Sequence, residues 1–162
     1  MIDYLDEVER KLIFLLDKMN LTGKYLGEGN FAVAYRSDCG ERVYKLTTDV
    51  DDALQAQEIL GTSPKFFAEV YQVMEIGEGL FFIETQYYKP CSNHFWSQYY
   101  ENIKRGKGII GEEMIKYGFL HIDNNYRNFG IDKEGNIRCF DFGYNSSARL
   151  YENAKFKKWE QT

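Results

Sequence analysis

The chain has 162 residues and carries 25 acidic against 20 basic side chains, a formal charge of −5. Its length fits a single domain, and its acidic balance excludes a nucleic-acid binder that relies on a broad cationic surface. No uninterrupted apolar run exceeds five residues, which leaves no candidate for a membrane-spanning helix. The start, Met1-Ile2-Asp3-Tyr4, lacks the basic and apolar regions of a signal peptide. Aromatic residues reach 17%, and large rings bury much area each, which helps a short chain to build a core. Cys39, Cys91 and Cys139 are odd in number, far apart and outside any C-x-x-C pair. They read as free thiols of a reducing compartment, so a cytoplasmic location is expected. With only His94 and His121 as histidines, a metal would be a hard cation on oxygen ligands.

The predicted elements begin with an amphipathic helix, in which Leu5, Val8, Leu12, Leu15, Leu16 and Met19 recur at helical spacing. Short β-rich runs follow at Lys24–Leu26, Phe31–Arg36 and Arg42–Leu46, separated by the turns Gly27-Glu28-Gly29-Asn30 and Ser37-Asp38-Cys39-Gly40. Val50–Leu60 reads as a helix, with Asp49, Asp51 and Asp52 where the helix dipole favours negative charge. Strands are expected at Glu69–Ile76 and Leu80–Thr85. A helical stretch, Ser92–Tyr117, is broken near Gly106 to Gly111. A loop, His121–Asn128, leads to strands at Phe129–Ile131 and Ile137–Phe140, and the tail Ala148–Trp159 reads as a last helix whose Lys155, Lys157 and Lys158 form its solvated end. The order gives an α+β fold: a helix over 1–20, a strand-rich unit of about five antiparallel strands with one inserted helix over 21–86, and a helix-rich unit over 87–162.

Three motifs appear in a fixed order. Gly27-Glu28-Gly29-Asn30-Phe31 lies between two strands, where a glycine-rich hairpin lets backbone amides approach phosphate oxygens. A Rossmann or Walker loop would instead lead into a helix. Val43-Tyr44-Lys45 puts a lysine on a strand, and an inward lysine needs an anionic partner; Glu58 follows thirteen residues later, with Gln57 the competing choice by one step. Asp123 is followed after five residues by Asn128, and Asn128 after thirteen by Asp141 of Asp141-Phe142-Gly143. Those side chains suit one metal–phosphate centre, with Asp123 accepting a hydroxyl proton and Asn128 and Asp141 coordinating magnesium.

In these motifs the chain resembles the protein-kinase superfamily over most of Leu21 to Tyr144. The resemblance implies a kinase-like fold with a strongly reduced helical second lobe, and it implies ATP and Mg2+. Gly27, Glu28, Gly29 and Phe31 would cover the phosphates, Val43 would line the adenine site, and Lys45 would contact the α- and β-phosphates. Glu58 would pair with Lys45, and the backbone of Glu84 to Tyr87 would receive adenine. Asp123 would be the base, with Asn128 and Asp141 the metal ligands. The third loop glycine is replaced by Ala32, and Ala34 and Val43 exchange small and large groups at the adenine roof, a swap that keeps volume. Ile122 stands where many members carry an arginine, so control through a phosphorylated activation segment is not expected, and activity should not depend on Tyr144, Ser146 or Ser147. Only 19 residues follow Gly143, which is similar to minimal effector kinases of pathogenic bacteria, whereas the loop from Gly27 to Tyr35 is similar to that of small bacteriophage kinases. The host-cell cytoplasm is then a second expected location. The short tail points to a partner protein or second copy for acceptor docking. His121 and the aromatics of His94–Tyr100 are expected to be packing residues. A pseudokinase scaffold, an aminoglycoside- or choline-type phosphotransferase and a metal-independent interaction module remain the alternatives to a kinase acting on protein hydroxyls.

Overall fold

A computed structural model of the chain describes residues 4–28, 32–77, 79–142 and 156–159. The opening helix α1 (Tyr4–Lys18) forms as its periodicity predicts. Strands β1 (Gly23–Glu28), β2 (Ala32–Ser37) and β3 (Arg42–Thr47) follow as antiparallel neighbours. Helix α2 (Val50–Ile59) starts only two residues after β3, because Asp49 caps it by accepting the Asp51 N–H at 3.0 Å. Strands β4 (Val70–Glu75) and β5 (Phe81–Gln86) complete the antiparallel part of the sheet, in the order β1-β2-β3-β5-β4.

A helix over Ser92–Tyr117 is expected from sequence, and three short ones stand there: α3 (Asn93–Ser97), α4 (Tyr100–Arg105) and α5 (Ile109–Tyr117). The break before α5 has a steric cause. A Cβ on Gly111 would fall 1.9 Å from the Gly106 carbonyl oxygen, so the two turns touch only because residue 111 is glycine. A second, three-stranded sheet joins β6 (Lys89–Pro90), β7 (Phe129–Ile131) and β8 (Ile137–Cys139).

The tail departs from expectation. Residues 148–155 lie outside the described part, but Lys157–Lys158 form a strand, β9, parallel to β4 with Met74 opposite Lys157 and Glu75 opposite Lys158. The Phe156 ring sits 4.9 Å from that of Phe81, and the Trp159 N–H donates to the Glu75 carbonyl at 3.2 Å. The edge of β4 offers unpaired backbone groups, and an aromatic anchor on either side of the two lysines lets the segment take them up. That pull outweighs the weak helical pattern of the lysines.

Side chains alternate across each strand, so the large sheet has two unlike faces. On one, Val33, Leu46, Met74 and Phe82 pack against Val8, Leu12, Leu15 and Leu16 of α1. On the other, Val70, Val73, Phe81 and Ile83 join α2, α5 and the second sheet in a larger aromatic core built around Phe66, Phe67, Phe129 and Phe142. Helix α1 is therefore the sole helical cover of the outer face among the described residues.

Leu12 is fully buried there, whereas Ile13 beside it is 48% exposed. Leu12→Ala should cost about 2–5 kcal/mol of unfolding free energy, and Ile13→Ala should stay within about 0.5 kcal/mol. Urea denaturation of both variants checks this. Equal effects would mean that α1 does not cover the sheet as described.

Candidate active site

Directly opposed residues of paired strands share a face, and the register brings one row together on the inner face: Gly27 opposite Ala34, Ala34 opposite Lys45, Lys45 opposite Ile83, and Ile83 opposite Val73. Lys45 is thus flanked by Ala34 on one side and Ile83 on the other, with Gly27 beyond Ala34. A Cβ on Gly27 would have nothing within 4 Å. Among the described residues the Lys45 side chain is 21% exposed.

Beneath the row, Asp52 in the first turn of α2 forms an ion pair with Lys45 and is itself 2% exposed. Its Oδ2 takes the ammonium; its Oδ1 is buried without a hydrogen-bond partner. Burial pushes the Asp52 carboxyl up to about 6 against the opposing pull of Lys45, and the charge of Asp141 adds to the rise. For Lys45, burial works against the charged form, but Asp52 and Asp141 together outweigh it and hold the ammonium above its ordinary value. At neutral pH the pair is ionised.

The second half of the site is built by backbone. The loop before β7 closes through a three-residue 3-10 turn (Tyr126–Asn128) capped by Asn125, whose Oδ1 accepts the Arg127 N–H at 3.1 Å. The Asn128 amide Nδ2 donates to the Asp123 carbonyl at 3.1 Å, which leaves its Oδ1 as an acceptor. The Phe140 N–H donates to the Asn128 carbonyl at 3.0 Å, so the residue before Asp141 is tied to Asn128 across the hairpin. The adjacent Cys139 thiol is fully buried and its pKa is raised, first by that burial and then by the negative charges of Asp141, Asp123 and Asp52.

The sequence-predicted residues fare unevenly. Asp141 lies within electrostatic reach of Lys45, Asn128 donates to the Asp123 carbonyl, and Val43 is on the Lys45 face opposite Thr85. Glu58 does not join them. It is exposed, and the partner of Lys45 is Asp52. The reason is the two-residue β3–α2 connection: the first turn of α2 faces the lysine, and six further residues, at about 100° each, rotate Glu58 to the far side. Gln57 is half-buried and is likewise not the charge partner. Glu84 is also corrected as an adenine contact. It lies inside β5 between Tyr44 and Gln72, and its side chain is on the outer face, 3.4 Å from the Arg42 guanidinium. The strand runs on to Gln86, whose N–H donates to the Glu69 carbonyl. Only beyond it does the chain turn away, with the Tyr87 N–H donating to the Glu41 carbonyl at 3.0 Å and its ring under the Arg36 guanidinium. Glu28 ends β1 and is exposed. Gly29 and Phe31 lie outside the described residues, as do Gly143, Tyr144, Ser146 and Ser147.

Sequence reasoning missed two contributions. Asp52 was legible only as one of three acids serving the helix dipole; its short distance from Lys45 along the chain was the unused signal. His94–Tyr100 does more than pack: the Trp96 Nε1–H donates to the Asn124 Oδ1 at 3.0 Å, and the Asn124 Nδ2 donates to the Tyr100 carbonyl at 3.3 Å, so this segment grips the residue next to Asp123. His121 is exposed rather than packed beneath the loop. The cysteines are free thiols, Cys39 exposed and the other two buried.

The fold is similar to that of a MAP kinase from Leishmania major, with a TM-score of 0.52 and 13% identity over 85% of this chain and 51% of that one. The chain has a kinase-like fold and spans about half the length of the kinase it matches. No family model matches the chain, and no curated protein matches its sequence. Among the described residues no helix is long and apolar enough to cross a membrane.

The residues present fit a nucleotide with a hard cation. Lys45 carries three ammonium donors, one facing Asp52, and a Cβ on Gly27 would meet nothing within 4 Å among the described residues. Asp141 and Asn128 offer a carboxylate and an amide oxygen. Among the described residues no three His, Cys, Asp or Glu side chains form a metal cage.

The Asp52 carboxyl should titrate near 6 in an NMR pH series of the folded protein. In Lys45→Met it should titrate higher still, because the cation that lowers it is gone while burial remains. A lower value in that variant would refute the pairing.

Proposed function

We propose that the chain is an ATP- and Mg2+-dependent phosphotransferase of the protein-kinase type that phosphorylates hydroxyl groups, those of proteins in particular. The observation that carries this reading is the row Gly27–Ala34–Lys45, with the lysine held from below by Asp52 and facing the charge of Asp141 from the other sheet. A lysine so braced keeps a fixed charge and spare donors, which is what binding the α- and β-phosphates requires. Val43 and Thr85 on the same face would border the adenine. Asn128 and Asp141 would hold Mg2+, which supplies neutralisation of the charge that develops on the transferring phosphoryl group. Asp123 is exposed, so an acceptor hydroxyl can reach it from solvent, and its carboxylate would take the hydroxyl proton as the oxygen attacks phosphorus. Catalysis of this kind rests on positioning and electrostatics, and the backbone bonds that fix Asp123, Asn128 and Phe140 relative to one another provide the positioning.

The test is ATP turnover with Mg2+, phosphosites being read by mass spectrometry, alongside nucleotide binding by calorimetry. Asp123→Asn should lower turnover by about 10²–10⁴-fold while leaving nucleotide affinity near wild type. Lys45→Met and Asp52→Asn should weaken nucleotide binding, and Glu58→Gln should not. Binding without turnover on any acceptor would favour the pseudokinase alternative, and absence of nucleotide binding would overturn the proposal.

A further inference from the structure

The segment between α2 and β4 is irregular, yet Phe66, Phe67 and Ala68 in it are at most 1% exposed. Buried backbone outside helices and sheets must find partners for every N–H and C=O. Here the partners carry full charges of both signs. Glu113 of α5, 6% exposed, accepts the N–H groups of Lys65 at 2.6 Å, Phe66 at 2.9 Å and Phe67 at 3.2 Å. Arg138 of β8 donates from Nη1 to the carbonyls of Pro64 at 2.7 Å and Phe67 at 3.1 Å, while Asp132 holds its Nε at 2.9 Å. The gripped segment in turn brackets Cys139: the Cys139 N–H donates to the Phe66 carbonyl at 2.9 Å, and the Ala68 N–H donates to the Cys139 carbonyl at 2.8 Å. Cys139 leads directly into Phe140, tied to Asn128, and then Asp141.

A continuous line of bonds thus runs from the Glu113 carboxylate through residues 65–68 and Cys139 to both Asn128 and Asp141. The same helix α5 also touches α2, since the Gln55 Nε2 donates to the Gly118 carbonyl at 3.5 Å and Thr62 pairs with the Tyr117 hydroxyl at 2.9 Å. We infer that Glu113 is a positioning residue for the metal-ligand pair Asn128 and Asp141, acting through the 65–68 segment and keeping β8 in register with α2, which carries the partner of Lys45. The inference rests on the phosphotransferase reading for the role of Asn128 and Asp141, but not for the grip itself.

The test compares Glu113→Gln with Glu112→Gln, which makes the same charge change at the exposed neighbour on α5. The glutamine amide keeps the size but puts an NH2 group where backbone N–H groups need an acceptor. In the protein without nucleotide, hydrogen exchange at the amides of Ala68, Cys139 and Phe140 should quicken by about tenfold or more in Glu113→Gln and stay at the wild-type rate in Glu112→Gln. ATP affinity is then measured with and without Mg2+. Glu113→Gln should lose about fivefold or more of the gain that Mg2+ confers, while affinity for ATP alone, which depends on Lys45, remains. Unchanged exchange would overturn the inference, and so would faster exchange with an intact Mg2+ gain. A wild type without any Mg2+ gain would sink the phosphotransferase reading instead, leaving the exchange arm to decide whether Glu113 holds β8. Should Glu113→Gln fail to fold, native-state exchange of the wild type decides: the amides of residues 66–68 and 139–140 must open as one unit, and separate rates would refute the link.

Discussion

A lysine ammonium lodged between a sheet and a helix sets the terms for the rest of this fold. Lys45 sits on β3 with its charge turned inward, where an unpaired ion would be prohibitive. Asp52 resolves that problem locally, seven residues along the chain and in the first turn of the helix that follows. The solution is not a comfortable one for Asp52, whose burial raises its pKa to about 6 and whose Oδ1 has no partner. Buried ion pairs are weak sources of stability, and a well-packed apolar pair of similar volume often does as well or better. A buried pair with one strained member, beside the small residues Ala34 and Gly27, therefore makes more sense as a device for presenting a charge than as a fold stabiliser.

That arrangement needs the sheet to be covered on its other side. Because α1 takes the outer face through Val8, Leu12, Leu15 and Leu16, the inner face can afford the small residues Ala34 and Gly27 on one side of Lys45 without leaving the sheet short of apolar burial. The second half of the site follows a different logic. Asp123, Asn128 and Asp141 are held by backbone bonds across a short hairpin, by an asparagine cap, and by Trp96 on the neighbouring Asn124. The lysine side is tuned by burial and the carboxylate side by chain geometry.

What the sequence made legible reflects the same division. Local signals were sufficient for α1, for β1 to β5, for α2 and for β7 and β8, because period and turn chemistry are encoded residue by residue. The spacing from Asp123 to Asn128 to Asp141 was also legible, since one short loop and one hairpin enforce it. Tertiary facts were not. The helix begins at Val50 as its pattern predicts, but which of its faces meets Lys45 is set by how it packs on the sheet, and that packing puts Asp52 against the lysine and Glu58 outward. The strand expected to end at Thr85 runs on to Gln86, paired with Arg42 through backbone bonds that no side-chain pattern announces. The tail strand depends on an unpaired edge of β4, a property of the assembled sheet.

Three aspartates differ in exposure, and that difference separates their tasks. Asp52 is shut inside, so it can serve only a group of the protein itself, and Lys45 is that group. Asp141 is half-buried beside a hairpin end, and its charge acts on Lys45. Asp123 is exposed, on a loop whose backbone is fixed on both sides, and is therefore the one carboxylate that an acceptor from solvent can approach without the protein opening. Carboxylates of equal intrinsic chemistry are given separate roles by their surroundings. Under the proposed reading, the ordering from buried to exposed would run from the brace of Lys45, past a metal ligand, to the base, which is the direction a phosphoryl group would travel from nucleotide to acceptor.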